Sequence, residues 1–319
     1  MHISTKTPKC FLAGHTGLVG SALYEQIKQQ GQYELITCPH KQLDLTCQNE
    51  VESFFDTHRP DIVILAAAKV GGIQANRTKT ADFIYQNLMI QSNVMHQAHR
   101  FGVKKMVFYA SACTYPVKAA QPVTEDQMFA GPAEPTNAAY AEAKRAGVIM
   151  AQSYAHQHQM NVITIVPANL YGPGDNFNEQ DSHVIPALIW KFHKAKQEQA
   201  PSVKVWGSGK AIRDFLYVDD LAELTLQLLE KYDSPEPINA GSGEGTPIGN
   251  LIETIQQITG YQGRIDFDTS MPDGAPKKVL DCTKLTQLGW KAQTPLHTGL
   301  MQTYEWFLRR LKTHENIRK

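Results

Sequence analysis

Short apolar runs alternate with amphipathic stretches from residue 10 to about residue 170. The run CFLA (10–13) passes through glycines at 14, 17 and 20 into LVGSALYEQIKQQ, whose apolar positions recur at helical spacing, so strand, tight loop and helix are expected in that order. ELITCP (34–39) reads as a second strand and VESFFDTHRP (51–60) as a helix. DIVILAAAK (61–69) is a continuous apolar run bounded by Pro60 and by Gly71 and Gly72, as in a strand covered on both faces. TADFIYQNLMIQSNVMHQAHRFG (80–102) is helical in period and stops on Gly102. KKMVFYASA (104–112) follows as a strand, AAYAEAKRAGVIMAQSYAHQHQ (138–159) as a long helix, and NVITIVPANLYGPGD (161–175) as a single strand after it.

Strands that alternate with helices in this way make an α/β protein with a doubly wound parallel sheet of the Rossmann type. Beyond Gly172 the pattern loosens. A helix, a polar loop and a short strand span 176–215, and two further helices cover YVDDLAELTLQLLEKY (217–232) and PIGNLIETIQQITG (247–260). The expected organisation is a dinucleotide-binding domain over 1–172 and a smaller, interleaved α/β substrate domain over 173–319, with parts of 205–235 returning to the first.

Composition narrows the partners. The chain has 319 residues, with 31 Lys and Arg against 31 Asp and Glu, so no global basic field for nucleic acid or anionic membrane is expected. The N-terminal stretch lacks a signal-like apolar segment, and no run approaches the ~18 apolar residues of a membrane span, so a cytoplasmic protein is expected. The five cysteines (Cys10, Cys38, Cys47, Cys113, Cys282) are odd in number, dispersed and without a CxxC pair, which suggests neither a disulfide framework nor a metal site.

The candidate chemistry lies where strands end and helices begin, the edge at which such sheets bind ligands. Gly14 suits a tight turn, Gly17 lets a pyrophosphate approach the backbone at a helix N-terminus, and Gly20 permits close helix-to-strand packing. No acidic residue ends the second strand. His40 and Lys41 stand there instead, which favours a 2′-phosphate and hence NADP(H), while Asp44 is expected near the adenine. Tyr140 and Lys144, four apart on a helix, share a face, and a neighbouring ammonium would favour the tyrosinate. Ser111, ending a strand upstream, can hydrogen-bond the same substrate oxygen. Arg213, next to Asp214, is compatible with a surface salt bridge to that neighbour.

The glycine loop, LAAAKVGG, Ser111 and the Tyr140/Lys144 pair resemble, in this order, the extended short-chain dehydrogenase/reductase superfamily. SACTYP, EPTNAAYAEAK, PANLYGPGDNF, SHVIPALI, VWGSGKAIRDFLYVDDLA and PDGAPKK are similar to the GDP-L-fucose synthase family over nearly the whole chain. The resemblance implies 3,5-epimerisation and NADPH-dependent 4-keto reduction of GDP-4-keto-6-deoxy-D-mannose by a homodimer. It implies Ser111, Tyr140 and Lys144 for hydride-transfer chemistry, Cys113 as base and His183 as acid for epimerisation. Around the cofactor it places Gly14, Thr16, Gly17, Leu18, Val19, Gly20, His40, Lys41, Asp44, Ala66, Ala67, Ala68, Tyr140, Lys144, Pro167, Asn169, Leu170 and His183. Around the GDP-sugar it places Ser111, Asn169, Val184, Lys191, Trp206, Arg213 and Lys278. The chain departs from the family's pattern at Thr16 and His40, where relatives carry arginine, and at Ala112, where a second serine is usual. Competing readings are an epimerase/reductase for a related GDP-4-keto sugar (a colitose or deoxy-heptose precursor) and a non-catalytic NADP-binding sensor on the same fold. A 4,6-dehydratase would need an acidic pair after Ser111, and a UDP-sugar 4-epimerase would leave Cys113 and His183 idle.

Overall fold

The computed structural model describes residues 7–178, 182–271 and 273–313. β1 (Lys9–Ala13) leads into α1 (Leu18–Gln30), β2 (Glu34–Ile36) into α2 (Gln48–His58), and β3 (Ile62–Leu65) into α3 (Ile73–Thr78) and α4 (Thr80–Arg100). β4 (Lys105–Tyr109) is joined to α5 (Ala138–His158) by a long segment containing three 3-10 turns, and β5 (Val162–Pro167) is followed at once by β6 (Asn169–Tyr171). The remaining elements are α6 (Val184–Gln197), β7 (Ser202–Trp206), β8 (Ile212–Arg213), β9 (Phe215–Tyr217), α7 (Val218–Lys231), β10 (Ile238–Ala240), β11 (Thr246–Pro247), α8 (Ile248–Thr259), β12 (Arg264–Asp268), β13 (Lys277–Lys278), α9 (Thr283–Gln287) and α10 (Leu296–Lys312).

Six strands form one sheet in the order β10-β5-β4-β3-β1-β2, and every neighbouring pair is parallel. All six residues of β5 are buried, which is why the inner strands read as unbroken apolar runs with no alternation. From β1 the chain first steps outward to β2 and then crosses back to β3 on the other side of β1. The strand order therefore reverses between β1 and β3, and a crevice opens at their carboxyl ends. α1 packs against α7 and α4 against α5. β10 closes the far edge of the sheet, so the excursion back to the sheet reaches residue 240.

A second apolar cluster gathers residues of α6, β7, β9, α8 and α10, with Phe192, Leu251, Ile255, Leu300 and Phe307 fully buried. Its strands form three small sheets, pairing β11, β8 and β13, β12 with β7, and β6 with β9. No helix among the described residues is long and apolar enough to cross a membrane.

The run 161–175 is not one strand. The Ala168 N–H still donates to Ala240 in the large sheet at 2.8 Å. One residue later, Asn169 donates both its backbone N–H (3.1 Å) and its side-chain Nδ2 (2.8 Å) to the carbonyl oxygen of Asp214. That turns the chain out of β5 and into pairing with β9. Similarly, β3 ends at Leu65; the Ala66 N–H still donates to Ala13 of β1 at 3.0 Å, and Ala67 and Ala68 then leave the sheet at the crevice.

Candidate active site

The glycine loop is closed by contacts that leave no room for side chains. Gly14 has φ +87°, and a Cβ there would lie 2.6 Å from the Ala67 nitrogen and 2.9 Å from the Ala66 carbonyl carbon. The loop after β1 is thus pressed onto the start of the 66–68 segment. A Cβ on Gly20 would lie 2.0 Å from the Gly14 oxygen, so Gly20 packs α1 against its own loop, where packing against a strand was expected. Gly17 is the N-cap of α1 with no capping side chain, and the helix has no acid in its first turn. Leu18 and Val19 begin that turn, and its N–H groups are disposed to receive an anion. A dinucleotide pyrophosphate fits this cradle of glycine backbone and helix N-terminus.

His40 and Lys41 are exposed in the segment after β2, and Thr16 is exposed in the glycine loop. Asp44 accepts from the Thr46 N–H (2.9 Å) and hydroxyl (2.8 Å), contacts that hold its carboxyl below the ordinary range. The carboxylate is thus built into the turn before α2.

β4 ends at Tyr109, and the chain turns at Ser111 into the 3-10 turn Ala112–Thr114. The Ser111 Oγ accepts from the Cys113 N–H at 3.2 Å, which fixes serine and cysteine relative to each other. Burial pushes the Tyr140 phenol well above its ordinary pKa, the nearby Cys113 sulfur adds to the rise, and a hydrogen-bonding interaction with Ser111 opposes it. The Tyr140 ring stands edge-on to Phe83 at 6.3 Å. The expected stabilisation of tyrosinate by Lys144 is not seen. Lys144 is buried, donates to the Tyr109 carbonyl oxygen at 2.8 Å and lies 4.8 Å from the Phe108 ring centroid. Burial lowers its ammonium from 10.5 to about 7. Tyr140 is therefore a neutral phenol at physiological pH, the form in which it can give a proton.

The opposite wall comes from the small sheets. β13 pairs with β8 in parallel register, Lys278 opposite Arg213, so two cations separated by 65 positions in the chain stand side by side. Lys278 donates to the Ala112 oxygen at 3.4 Å. Arg213 feels the charges of Asp273, Cys113 and Glu134, although burial outweighs them and lowers its pKa. Its guanidinium donates to the Ala275 carbonyl at 2.7 Å and the Asp273 carbonyl at 3.3 Å. The surface salt bridge with Asp214 does not form. Asp214 is buried and takes the Ser242 hydroxyl (2.6 Å) and the N–H groups of Ser242 (2.9 Å), Gly243 (3.3 Å) and Leu280 (3.3 Å). Burial nonetheless holds its carboxyl above the ordinary range.

Lys191 on α6 sits 5.6 Å from the centroid of the exposed Trp206 ring at the end of β7, so these two residues also come together. His183 is the N-cap of α6, immediately before Val184. It retains accessible surface, yet the protein around it is dense enough that burial lowers its imidazole pKa. Pro167 ends β5, and Asn169 is exposed one residue beyond Ala168, with Leu170 after it. Among the described residues no cluster of three His, Cys, Asp or Glu could hold a metal ion. A hollow of about 350 Å³ lies between Ser92, His96, Met150 and Tyr154 on α4 and α5. None of the candidate site residues lines it.

The model of the NAD dependent epimerase/dehydratase family matches residues 10–241, from β1 to just past β10. The chain belongs to this family. Within the NAD dependent epimerase/dehydratase family it is 48% identical to GDP-L-fucose synthase 1 of Arabidopsis thaliana over 307 residues, 96% of this chain and 95% of that protein. Among solved structures it is similar to a GDP-L-fucose synthetase from Naegleria fowleri bound to NADP, with 32% identity, a TM-score of 0.90 and coverage of 99% of this chain and 97% of that one. It is also similar to a GDP-6-OMe-4-keto-L-xylo-heptose reductase from C. jejuni, at 35% identity, a TM-score of 0.90, and 95% and 98% coverage. The parallel Rossmann-type sheet expected from the strand and helix pattern is thus the fold of this family as well.

Sequence reasoning missed three residues around these groups, Asn137, Glu134 and Asp273, and gave a fourth, Asp214, the wrong partner. Asn137 donates to the Cys113 sulfur at 3.3 Å, and Glu134 acts on Arg213. Asp273 holds the Ser208 N–H and hydroxyl, both at 2.6 Å. Asp214 ties β9 to the loops after β10 and before α9. Asn137 and Glu134 lie inside EPTNAAYAEAK, so the segment was marked and the residues were not. The Asp214 and Asp273 contacts depend on pairings across more than twenty-five positions, and no local pattern carries them.

Proposed function

We propose that this chain binds NADPH and a GDP-4-keto-6-deoxy sugar and converts GDP-4-keto-6-deoxy-D-mannose to GDP-L-fucose, epimerising C3 and C5 and then reducing C4. The observation that carries the reading is the grouping of Ser111, Cys113 and Tyr140 around one turn, close enough to Arg213 for its charge and that of Cys113 to interact. Reduction alone calls for the serine and the tyrosine. A cysteine in the same cluster supplies a proton-transfer group that reduction does not need.

In the first stage the C4 ketone acidifies the protons on C3 and C5. Cys113 takes such a proton, and the charge that develops on the C4 oxygen is met by the Ser111 hydroxyl and the neutral Tyr140 phenol. His183, across the cleft, returns a proton to the other face. When bound, NADPH would supply the hydride for the second stage at C4, in which Tyr140 gives its proton to the oxygen. Gly14, Gly17 and the first turn of α1 hold the pyrophosphate of the cofactor, with His40 and Lys41 toward the 2′-phosphate and Lys144 toward the nicotinamide ribose. Arg213 and Lys278 receive the diphosphate of the GDP-sugar, and Lys191 and Trp206 border it.

The chain acts in this reading as a cytoplasmic homodimer joined through α4 and α5, whose outer faces expose Tyr85 and Ile149. A second reading takes a GDP-4-keto-heptose as substrate, favoured by the likeness to the C. jejuni enzyme, while the higher identity to the plant protein favours the fucose precursor. The deciding test is NMR of the products formed with NADPH from each 4-keto sugar in turn. Inversion at C3 and C5 with reduction at C4 of the mannose derivative is expected. Turnover of the heptose derivative alone would assign the other substrate, and cofactor binding with no oxidation of NADPH by either sugar would leave a sensor.

A further inference from the structure

Asn137 ends the 3-10 turn Pro135–Asn137, closed by its own N–H onto the Glu134 carbonyl at 3.0 Å, and immediately precedes the first residue of α5. Asparagine in that place ordinarily turns its side-chain oxygen onto a backbone N–H of the first helical turn. Asn137 makes no such contact. Its Oδ1 is buried with no hydrogen-bond partner, and the other end of the amide, Nδ2, donates to the Cys113 sulfur at 3.3 Å. The side chain thus forgoes a helix cap and leaves an oxygen unpaired while it faces the cysteine. Helix stability alone would select the opposite orientation.

An N–H directed at sulfur favours thiolate over thiol, because an anion accepts a hydrogen bond more strongly than a neutral S–H does. When the sulfur carries a proton, half a rotation of the amide lets the unpaired Oδ1 accept that S–H. We infer that Asn137 is a positioning residue for Cys113, which fixes the direction of the sulfur and stabilises its thiolate during proton transfer at the substrate. This rests on the reading of Cys113 as the base. The charged and titratable groups around the same sulfur are Tyr140 on α5 and Arg213 on β8. Glu134 acts on Arg213, and Lys278 on β13 is bonded to the neighbouring Ala112 carbonyl.

The test has two readouts. In the full-length protein, alkylation of Cys113 by iodoacetamide is followed peptide by peptide from about pH 6 to about pH 10, which reads the thiolate fraction directly. Asn137→Ala and Asn137→Ser should move the midpoint upward by about one pH unit, a roughly tenfold loss of thiolate at neutral pH. Asn137→Asp should move it further, because a carboxylate replaces the donor. Serine can cap α5, so Asn137→Ser keeps the fold while losing the sulfur contact. An unchanged midpoint in folded Asn137→Ser overturns the inference. The second readout is deuterium exchange at C3 and C5 of the 4-keto sugar, which should fall in the same variants at neutral pH and recover as the pH is raised. If the midpoint shifts while Cys113→Ser still exchanges at the wild-type rate, the amide and sulfur are coupled but the base is another group. If Cys113→Ser loses exchange and no midpoint shifts, the base stands and Asn137 has no part in it.

Discussion

Lys144 gives its ammonium to the carbonyl oxygen of Tyr109, at 2.8 Å, and not to Tyr140, which precedes it by one turn on the same helix. The lysine is therefore a pin between α5 and the end of β4, and it bears the cost of burial. Its amine has dropped from 10.5 to about 7. Below about pH 7 the amine is charged in the folded and unfolded chains alike, and the folded chain carries the full desolvation cost. Between about 7 and 10.5 the unfolded chain holds a proton that the folded chain has released, so stability rises with pH across this window. Lys144→Met removes the effect. The difference in melting temperature between wild type and Lys144→Met, measured without cofactor, should become more favourable to wild type from about pH 7 to about pH 9.5. A difference that stays constant with pH would mean the amine keeps its ordinary acidity.

Tyr140 is the other half of that pair, and its environment raises its pKa. A phenol held neutral in this way is ready to donate to the C4 oxygen throughout the physiological range. Tyr140→Phe should lower the rate of NADPH oxidation by about 10²- to 10⁴-fold, the usual worth of a general acid, with little change in KM for the sugar because the ring is kept. Stopped-flow absorbance of NADPH checks this. Loss of less than tenfold would pass the role to another donor.

Asp214 should matter for stability more than its position next to Arg213 suggests. Asp214→Ala strips the acceptor from three backbone N–H groups, those of Ser242, Gly243 and Leu280, and from the Ser242 hydroxyl. Only the Leu280 N–H lies in the interior, while Ser242 is half-buried and Gly243 exposed, so a loss of about 1–3 kcal/mol is expected in urea unfolding. Asp214 also fixes the ends of β8 and β13, so KM for the GDP-sugar should rise in the folded fraction. A loss under about 1 kcal/mol would show that water replaces the carboxylate without penalty.

The parts of the fold that sequence made legible are those set by local period and by glycine. CFLA, the glycine loop and α1 fall where the pattern puts them, because burial of both sheet faces and the tight turn at Gly14 are local demands. The change of strand at Ala168 was hidden, since Asn169–Tyr171 is as compatible with a strand as the residues before it, and the partner that diverts it, Asp214, lies 45 positions away. The roles of Lys144 and Asn137 were hidden for a related reason. Helical spacing says which side chains share a face, and says nothing of whether an ammonium finds the phenol or a carbonyl at the end of the next strand.

The two halves of the proposed chemistry separate in Cys113→Ser. A serine hydroxyl in place of the thiol is far too weak a base near neutrality, so solvent deuterium should cease to enter at C3 and C5. Ser111, Tyr140 and Lys144 are unchanged, so slow hydride transfer to the unepimerised ketone should continue and give a GDP-6-deoxy sugar with the substrate's C3 and C5 configuration. His183→Asn should behave differently. The first proton can still leave to Cys113, and only its return on the opposite face is impaired, so exchange should persist while inversion falls. Burial lowers the His183 imidazole below its ordinary range, so even the wild type should invert less efficiently, relative to exchange, as the pH rises through a window below the ordinary histidine range, with no further loss above it. NMR in D₂O without cofactor reads exchange for both variants, and addition of NADPH reads the configuration of the product. Exchange at the wild-type rate in Cys113→Ser would reduce the cysteine to a packed side chain and the enzyme to a 4-ketoreductase.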